Sequence, residues 1–230
     1  MQLYGTFRHE LKYAVSPADY LALRSRLRAV MRPDPHAGAD GRYTIRSVYF
    51  DNPDDLALRE KIDGVQRREK FRIRYYNDDL SLLTLEKKVK HDALCMKTGA
   101  RLSLEECRLL GAGEVDWMRE HPEPLVRELR AKMLAQRLFP RVLVSYTREP
   151  YVFSAGSVRV TFDSCIRTTL FQRSFFEESV RDVPATDRPG DMLLEVKYDA
   201  YLPEVVRALL QEPGIRQQAF SKYAVCRRFG

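Results

Sequence analysis

The sequence predicts an α+β fold in which an antiparallel sheet of about eight strands closes into a barrel with flanking helices. Three observations predict it. Strand-like segments follow one another through short turns, without the helix between each pair that a parallel sheet requires. At least four of these segments alternate charged with apolar residues. Arg8, Glu10 and Lys12 alternate with Phe7, Leu11 and Tyr13, and Lys70, Arg72 and Arg74 with Phe71, Ile73 and Tyr75. Arg159, Thr161 and Asp163 alternate with Val158, Val160 and Phe162, and Glu195 and Lys197 with Leu194, Val196 and Tyr198. A strand turns successive side chains to opposite faces, so each charged set shares one side of a sheet. Third, amphipathic segments at 17–31 and 124–139 need apolar partners. A barrel with its charged faces inward offers them on its outside, whereas a sandwich would turn the charges to water.

Each element has a local reason. Residues 6–14 read as a strand. Ser16, with Pro17 after it and Asp19 at the third position, starts a helix whose stripe is Tyr20, Leu23, Leu27 and Val30. The Pro-, Gly- and Asp-rich stretch 33–41 is a loop. Residues 43–51 form a strand that stops at Asn52-Pro53, and 54–61 a short helix. Asp63-Gly64 is a turn. Strands follow at 68–76, 81–90 and 95–102, the first two split by Asn77-Asp78-Asp79. Ser103 and Glu106 form a capping box for a helix ending at Gly111. Residues 124–139 carry Leu125, Leu129, Met133, Leu134 and Leu138 at helical spacing. Strands resume at 141–153 and 157–170. The polar stretch 174–190 reads as a hairpin or mobile loop. A strand at 192–199, a helix after Pro203 and a short helix over 221–227 complete the chain. No repeat or linker divides it, so one domain over 1–230 is expected.

The inward phase carries both signs. Glu10, Glu86, Asp163, Glu195 and Asp199 are interspersed with Arg8, Lys12, Arg72, Arg74, Lys88, Arg148, Arg159 and Lys197. Cations outnumber acids there, and across the chain 39 Lys and Arg against 32 Asp and Glu give a net charge of +7. Enclosed like charges repel, so the surplus calls for an anion, and a phosphate chain would neutralise it. Arg offers a bidentate fork to phosphate and Lys a mobile point charge. Glu carboxylates beside phosphate suit Mg2+ or Mn2+. Carboxylates in phase with the cations argue against a nucleic-acid track, so no nucleic-acid partner is expected. The four cysteines lack C-x-x-C spacing and read as free thiols in a reducing compartment. Without a signal core or an apolar run of membrane length, the expected location is the cytoplasm. Any role at a membrane would need a membrane-associated partner. His9, His36, His91 and His121 are scattered, and none is expected to be catalytic.

A series of motifs also resembles a known family. Arg8-His9-Glu10-Leu11-Lys12-Tyr13 opens it. Ser47-Val48-Tyr49-Phe50-Asp51, Lys70-Phe71-Arg72-Ile73-Arg74-Tyr75-Tyr76 and Leu85-Glu86-Lys87-Lys88 follow in order. Then come Tyr146-Thr147-Arg148, Val158-Arg159-Val160-Thr161-Phe162-Asp163, Leu194-Glu195-Val196-Lys197-Tyr198 and Ser221-Lys222-Tyr223. In kind and sequence, over residues 7 to 224, these resemble the motifs of the VTC domain. That is the catalytic domain of the eukaryotic vacuolar transporter chaperone complex and its bacterial relatives.

The resemblance implies a triphosphate-tunnel barrel that transfers the terminal phosphoryl group of ATP onto a growing inorganic polyphosphate chain. It implies Mn2+ or Mg2+ as cofactor. Carried over by motif, Lys12, Arg72, Arg74, Lys88, Arg148 and Lys222 would be catalytic cations. Arg8, Lys97, Tyr146, Arg159, Lys197 and Ser221 would bind further phosphate oxygens, with Arg101 as an alternative to Lys97. Glu195 would hold the metal, with help from Glu10 or Glu86. The hydrolytic branch of the superfamily opens with E-x-E-x-K. Arg8 stands at the first acid here, which disfavours a two-metal triphosphatase. The sensor domain and membrane helices of the eukaryotic polymerase have no counterpart in these residues, so the resemblance does not carry over regulation by inositol phosphates or coupled translocation. The alternatives are a triphosphate or polyphosphate hydrolase in the same tunnel and a non-catalytic polyphosphate-binding module.

Overall fold

The computed structural model describes residues 7–92, 94–169, 175–176, 180–185, 190, 192–212 and 214–229. Eight of its strands form a ring: β1 (Arg8–Val15), β3 (Tyr43–Asp51), β4 (Arg67–Tyr76), β5 (Asp79–His91), β6 (Leu94–Leu102), β7 (Phe139–Phe153), β8 (Val158–Thr168) and β10 (Met192–Tyr198). Around the ring the order is β7-β3-β4-β5-β6-β1-β10-β8, and β8 pairs back onto β7. Every pairing is antiparallel. Two-residue strands flank it, β2 (Arg32–Pro33) on β7 and β9 (Val183–Pro184) on β8. The joints are unequal. β1 pairs with β10 through seven residue pairs but with β6 only at Arg8–Cys95 and His9–Leu94.

Local chemistry fixes the corners. Asn77 and Asp78 take φ of 50° and 59°, the left-handed pair that a two-residue hairpin turn demands, and they join β4 to β5. Ser16 and Asp19 close a reciprocal capping box on α1 (Pro17–Val30), and Ser103 and Glu106 do so on α3 (Leu104–Ala112). Helix α4 (Pro124–Gln136) ends where Arg137, at φ 59°, reverses the chain into β7. It is shorter than the 124–139 expected, and Leu134 lies off its buried stripe at 58% exposed. Asp51, at the end of β3, accepts from the backbone N–H of Ala57 and Leu58 and so steers α2 (Leu56–Ile62). Of the hairpin or loop expected over 174–190, residues 175–176, 180–185 and 190 are described and include β9 against β8, and the others lie outside the described residues.

Two apolar cores lie outside the ring. Val48, Phe50, Phe71, Ile73, Leu83, Leu85 and Leu143 pack against Cys107 and Leu110 of α3 and Leu125, Val126, Leu129 and Met133 of α4. On the other flank Val158, Val160, Phe162, Leu194 and Val196 meet Tyr20, Leu23 and Leu27 of α1 and Val206 of α5 (Glu204–Leu209). Each such burial contributes roughly 1.5–3 kcal/mol against exposure. The charged phases therefore turn inward. The interior is not charged all round, however. Helix α6 (Lys222–Cys226) enters it, and Tyr223 and Cys226 pack with Ile45, Val142, Val144, Tyr146 and Ile166 on the inner faces of β3, β7 and β8. No described helix is long and apolar enough to cross a membrane.

Candidate active site

The rest of the interior is a cavity of about 650 Å³. Glu10 and Lys12 reach it from β1, and Arg68, Lys70, Arg72 and Arg74 from β4. Lys88 and Lys90 come from β5, Tyr146 and Arg148 from β7, Glu195 and Lys197 from β10, and Ser221 and Lys222 from the start of α6. The register explains the convergence. Glu10 lies opposite Lys197 and Lys12 opposite Glu195, so β1 and β10 present two crossed ion pairs. Arg72 and Arg74 face Tyr49 and Ser47 on one side and Glu86 and Thr84 on the other.

Each deep cation is held by a carboxylate. Arg148 grips Asp163 through two bonds of 2.6 and 2.7 Å, and Lys222 ends on the same carboxylate. Arg72 donates to Glu86 at 2.8 Å and to the Tyr49 hydroxyl at 2.8 Å. Arg74 donates to Ser47 Oγ and the Tyr146 hydroxyl, both at 3.3 Å. Lys88 meets Glu10 at 2.7 Å, and Lys12 lies 2.8 Å from Glu10 and 4.0 Å from Glu195. Lys197 pairs with Glu195 and stands 3.9 Å from Glu10. Arg74, Glu86, Arg148 and Glu195 are at most 7% exposed and Asp163 fully buried. The lumen is thus pre-organised by ion pairs in a low-dielectric space.

Burial works against charge on Glu86, Glu195 and Glu10, but their neighbours win. Arg74, Arg72 and Lys97 hold Glu86 well below the usual carboxylate range, and Lys197 and Lys12 do the same for Glu195. Lys88 leads for Glu10. Desolvation brings Lys197 down to about 8 despite Glu195 and Glu10. The Tyr49 phenol resists its burial and is drawn below its ordinary value by Arg72 and Arg74.

The structure gathers Lys12, Arg72, Arg74, Lys88, Arg148, Lys197 and Lys222, with Glu10, Glu195, Tyr146 and Ser221, around one space. It puts the other sequence-selected residues elsewhere. Arg8 binds Asp199 at 2.6 Å and the Ser157 carbonyl, outside the cavity lining. Arg159 shares the inward face but is held by Asp34 and the Tyr43 hydroxyl, each at 2.6 Å. Lys97 backs Glu86 at 2.7 Å. Arg101 is exposed. Ser221 accepts from the Ala224 N–H and caps α6. Tyr223 anchors that helix by donating to Asp51.

Several lining residues were not among the selected site residues. Lys70 already stands in the alternation of Arg72 and Arg74, Arg68 reads in the sequence as a solvated strand entrance or a tunnel mouth, and Lys90 continues the phase of Glu86 and Lys88. Gln217 and Gln218 had no such signal. The backbone brings them to β1, where Gln217 bridges to Tyr13 and the Gln218 N–H donates to the Lys12 carbonyl at 2.9 Å.

Metal fit follows from the donor set. Among the described residues no group of three or more metal-ligating side chains forms. Glu10 and Glu195 open onto the same cavity, which suits a hard divalent ion that takes its remaining oxygens from phosphate and water. All three acids have basic partners, but Glu86, which holds Arg72, Arg74 and Lys97, stands outside the cavity lining.

The VTC domain model matches residues 7–229. The chain belongs to the VTC domain family. Two solved structures carry the same tunnel fold. One, a Hippeastrum protein named as a candidate adenylyl cyclase with a dominant triphosphatase activity, is 14% identical with a TM-score of 0.55. It covers 99% of this chain and 96% of its own. The other, from Pyrococcus horikoshii OT3, is 12% identical with a TM-score of 0.50. It covers 96% of this chain and 98% of its own. At such identities the likeness speaks for the fold alone, and no curated protein matches. This VTC domain is a triphosphate-tunnel protein whose motifs fall on its inward faces.

Proposed function

We propose that this VTC domain is a polyphosphate polymerase that uses ATP. The observation that carries the reading is the convergence of Lys12, Arg72, Arg74, Lys88, Arg148, Lys197 and Lys222 on one cavity. A terminal oxygen of the acceptor chain attacks the γ-phosphorus of ATP. The new P–O bond forms as the bond to the bridging oxygen breaks, and ADP leaves with that electron pair. The acceptor oxygen is already anionic, so no side chain need remove a proton. The protein's work is alignment and charge stabilisation. Arg72, Arg74 and Arg148, fixed by Glu86 and Asp163, meet the charge on the transferring group without reorganising. Lys12, Lys88, Lys197 and Lys222 hold the flanking phosphates. Glu10 and Glu195 would hold Mn2+ or Mg2+, which supplies further neutralisation of phosphate charge when bound.

Incubation with ATP and Mn2+ followed by gel separation tests this directly. Long polyphosphate is the expected product, and Arg72→Ala or Lys222→Ala lowers its rate about 10²–10³-fold while the protein stays folded. Release of free phosphate without chain growth would identify a hydrolase instead. Tight, salt-sensitive binding without turnover would identify a binding module, and either result overturns the polymerase reading.

A further inference from the structure

The cations of the tunnel fall into two populations. Those in the depth are matched to Glu10, Glu86, Asp163 and Glu195. Four others line the end of the same cavity where α2 finishes, β4 begins and β5 ends: Lys61, Arg68, Lys70 and Lys90. Arg68 and Lys90 are register partners across β4 and β5. None of the four forms a salt bridge among the described residues. Three acids stand nearby, and none forms a salt bridge to these cations. Asp92 lines the same end of the cavity, 3.2 Å from His91 Nδ1. Asp51 accepts from the α2 backbone and Tyr223. Glu60 feels Lys70 and Arg68 but bridges to neither.

Their crowding is visible in how they perturb one another. Lys70 is largely desolvated, its ammonium 4.5 Å over the Tyr223 ring. Burial, Arg68 and Lys61 make its charged form costly, with Asp51 opposing. Burial and Arg68 act in the same direction on Lys61 and on Lys90. Four mutually repelling basic groups with no salt bridge among the described residues raise the local potential and favour an external anion. Each cation of the deep set, by contrast, has a carboxylate within 4 Å before any ligand arrives, although four acids serve seven cations there. The two sets share one continuous cavity, so a linear anion can touch both where a compact one cannot.

We infer that Lys61, Arg68, Lys70 and Lys90 form a second phosphate subsite at the tunnel mouth, which holds those units of an inorganic polyphosphate chain that extend beyond the reacting segment. This rests on the polyphosphate reading above. It makes the mouth the determinant of chain-length preference. Tripolyphosphate fills the deep set alone, whereas a long chain gains the mouth as well.

The test compares the two ligands on the triple variant Lys61→Ala, Arg68→Ala, Lys90→Ala, by calorimetric titration with tripolyphosphate and with long-chain polyphosphate. The expected result is a loss of about tenfold to a hundredfold in affinity for the long chain, with a shallower salt dependence. Tripolyphosphate affinity should hold, which also shows that the variant is folded. Equal loss for both ligands, or loss for neither, overturns the mouth subsite while leaving the polymerase reading to its own product assay. If the unmutated protein fails to bind long chains at all, the polyphosphate reading falls with it.

Discussion

At the scale of single residues, the buried acids explain the site better than the cations do. Asp163 accepts from both Arg148 and Lys222. Burial opposes its charge, but Arg148 and Lys222 keep its pKa below the ordinary value. The stability it supplies is therefore present above the ordinary aspartate pKa and lost as pH falls toward the depressed one. Asp163→Asn strands two buried cations and should cost about 3–5 kcal/mol. Thermal melts should show that loss in anion-free buffer, and a larger rise on adding tripolyphosphate than in the unmutated protein. A variant melting like the parent would show that Asp163 is dispensable. Lys70 titrates the other way. Burial and Arg68 bring it down to about 7, so above that pH the folded chain gives up a proton that the unfolded chain keeps. On this group's account stability rises from about pH 7 towards the ordinary lysine value of about 10.4. A bound phosphate chain favours the ammonium form, so binding at pH 8 should take up protons. Titrations in two buffers of different ionisation enthalpy should reveal the uptake, and Lys70→Gln should reduce it.

Between residues and the whole stand the elements, and here the chain was largely legible. The strand at 43–51, the helix cap at Ser16 and the capping box at Ser103 all rest on neighbours a few positions apart and form as read, and the turn read over Asn77-Asp78-Asp79 forms at Asn77 and Asp78. The alternation of β1, β4, β8 and β10 named the inward faces for the same reason. What stayed hidden depends on elements distant in sequence. Nothing near Tyr223 and Cys226 announces that α6 fills part of the barrel, because their partners Ile45, Val144 and Ile166 come from β3, β7 and β8. Arg159 has the right phase, yet Asp34, 125 positions away, holds it. The Glu86 motif does not show that Arg72 lies opposite it or that Lys97, two places from its register partner Gly99, donates to it at 2.7 Å.

At the scale of the molecule, the usual distribution of residues is inverted. Two apolar cores lie between ring and helices, and the ionic groups share the centre with the apolar cluster around α6. The helices α1, α3 and α4 are therefore structural walls that carry none of the lining side chains.

A hoop is only as firm as its poorest joint. The meeting of β1 and β6 rests on Arg8–Cys95 and His9–Leu94, while the other ring joints run five pairs or more. Amides along β1 and β6 should exchange with deuterium soonest among the ring strands, since local opening starts where the fewest bonds must break together. Lys88 and Glu10 lace the gap from the inside, joining β5 to β1 at 2.7 Å. A polyanion lying across Lys88 and Lys12 would stitch it further, and exchange there should slow on binding more than elsewhere. A polymer far longer than the channel would then have a sideways way in, through a slit that its own charge afterwards sews shut.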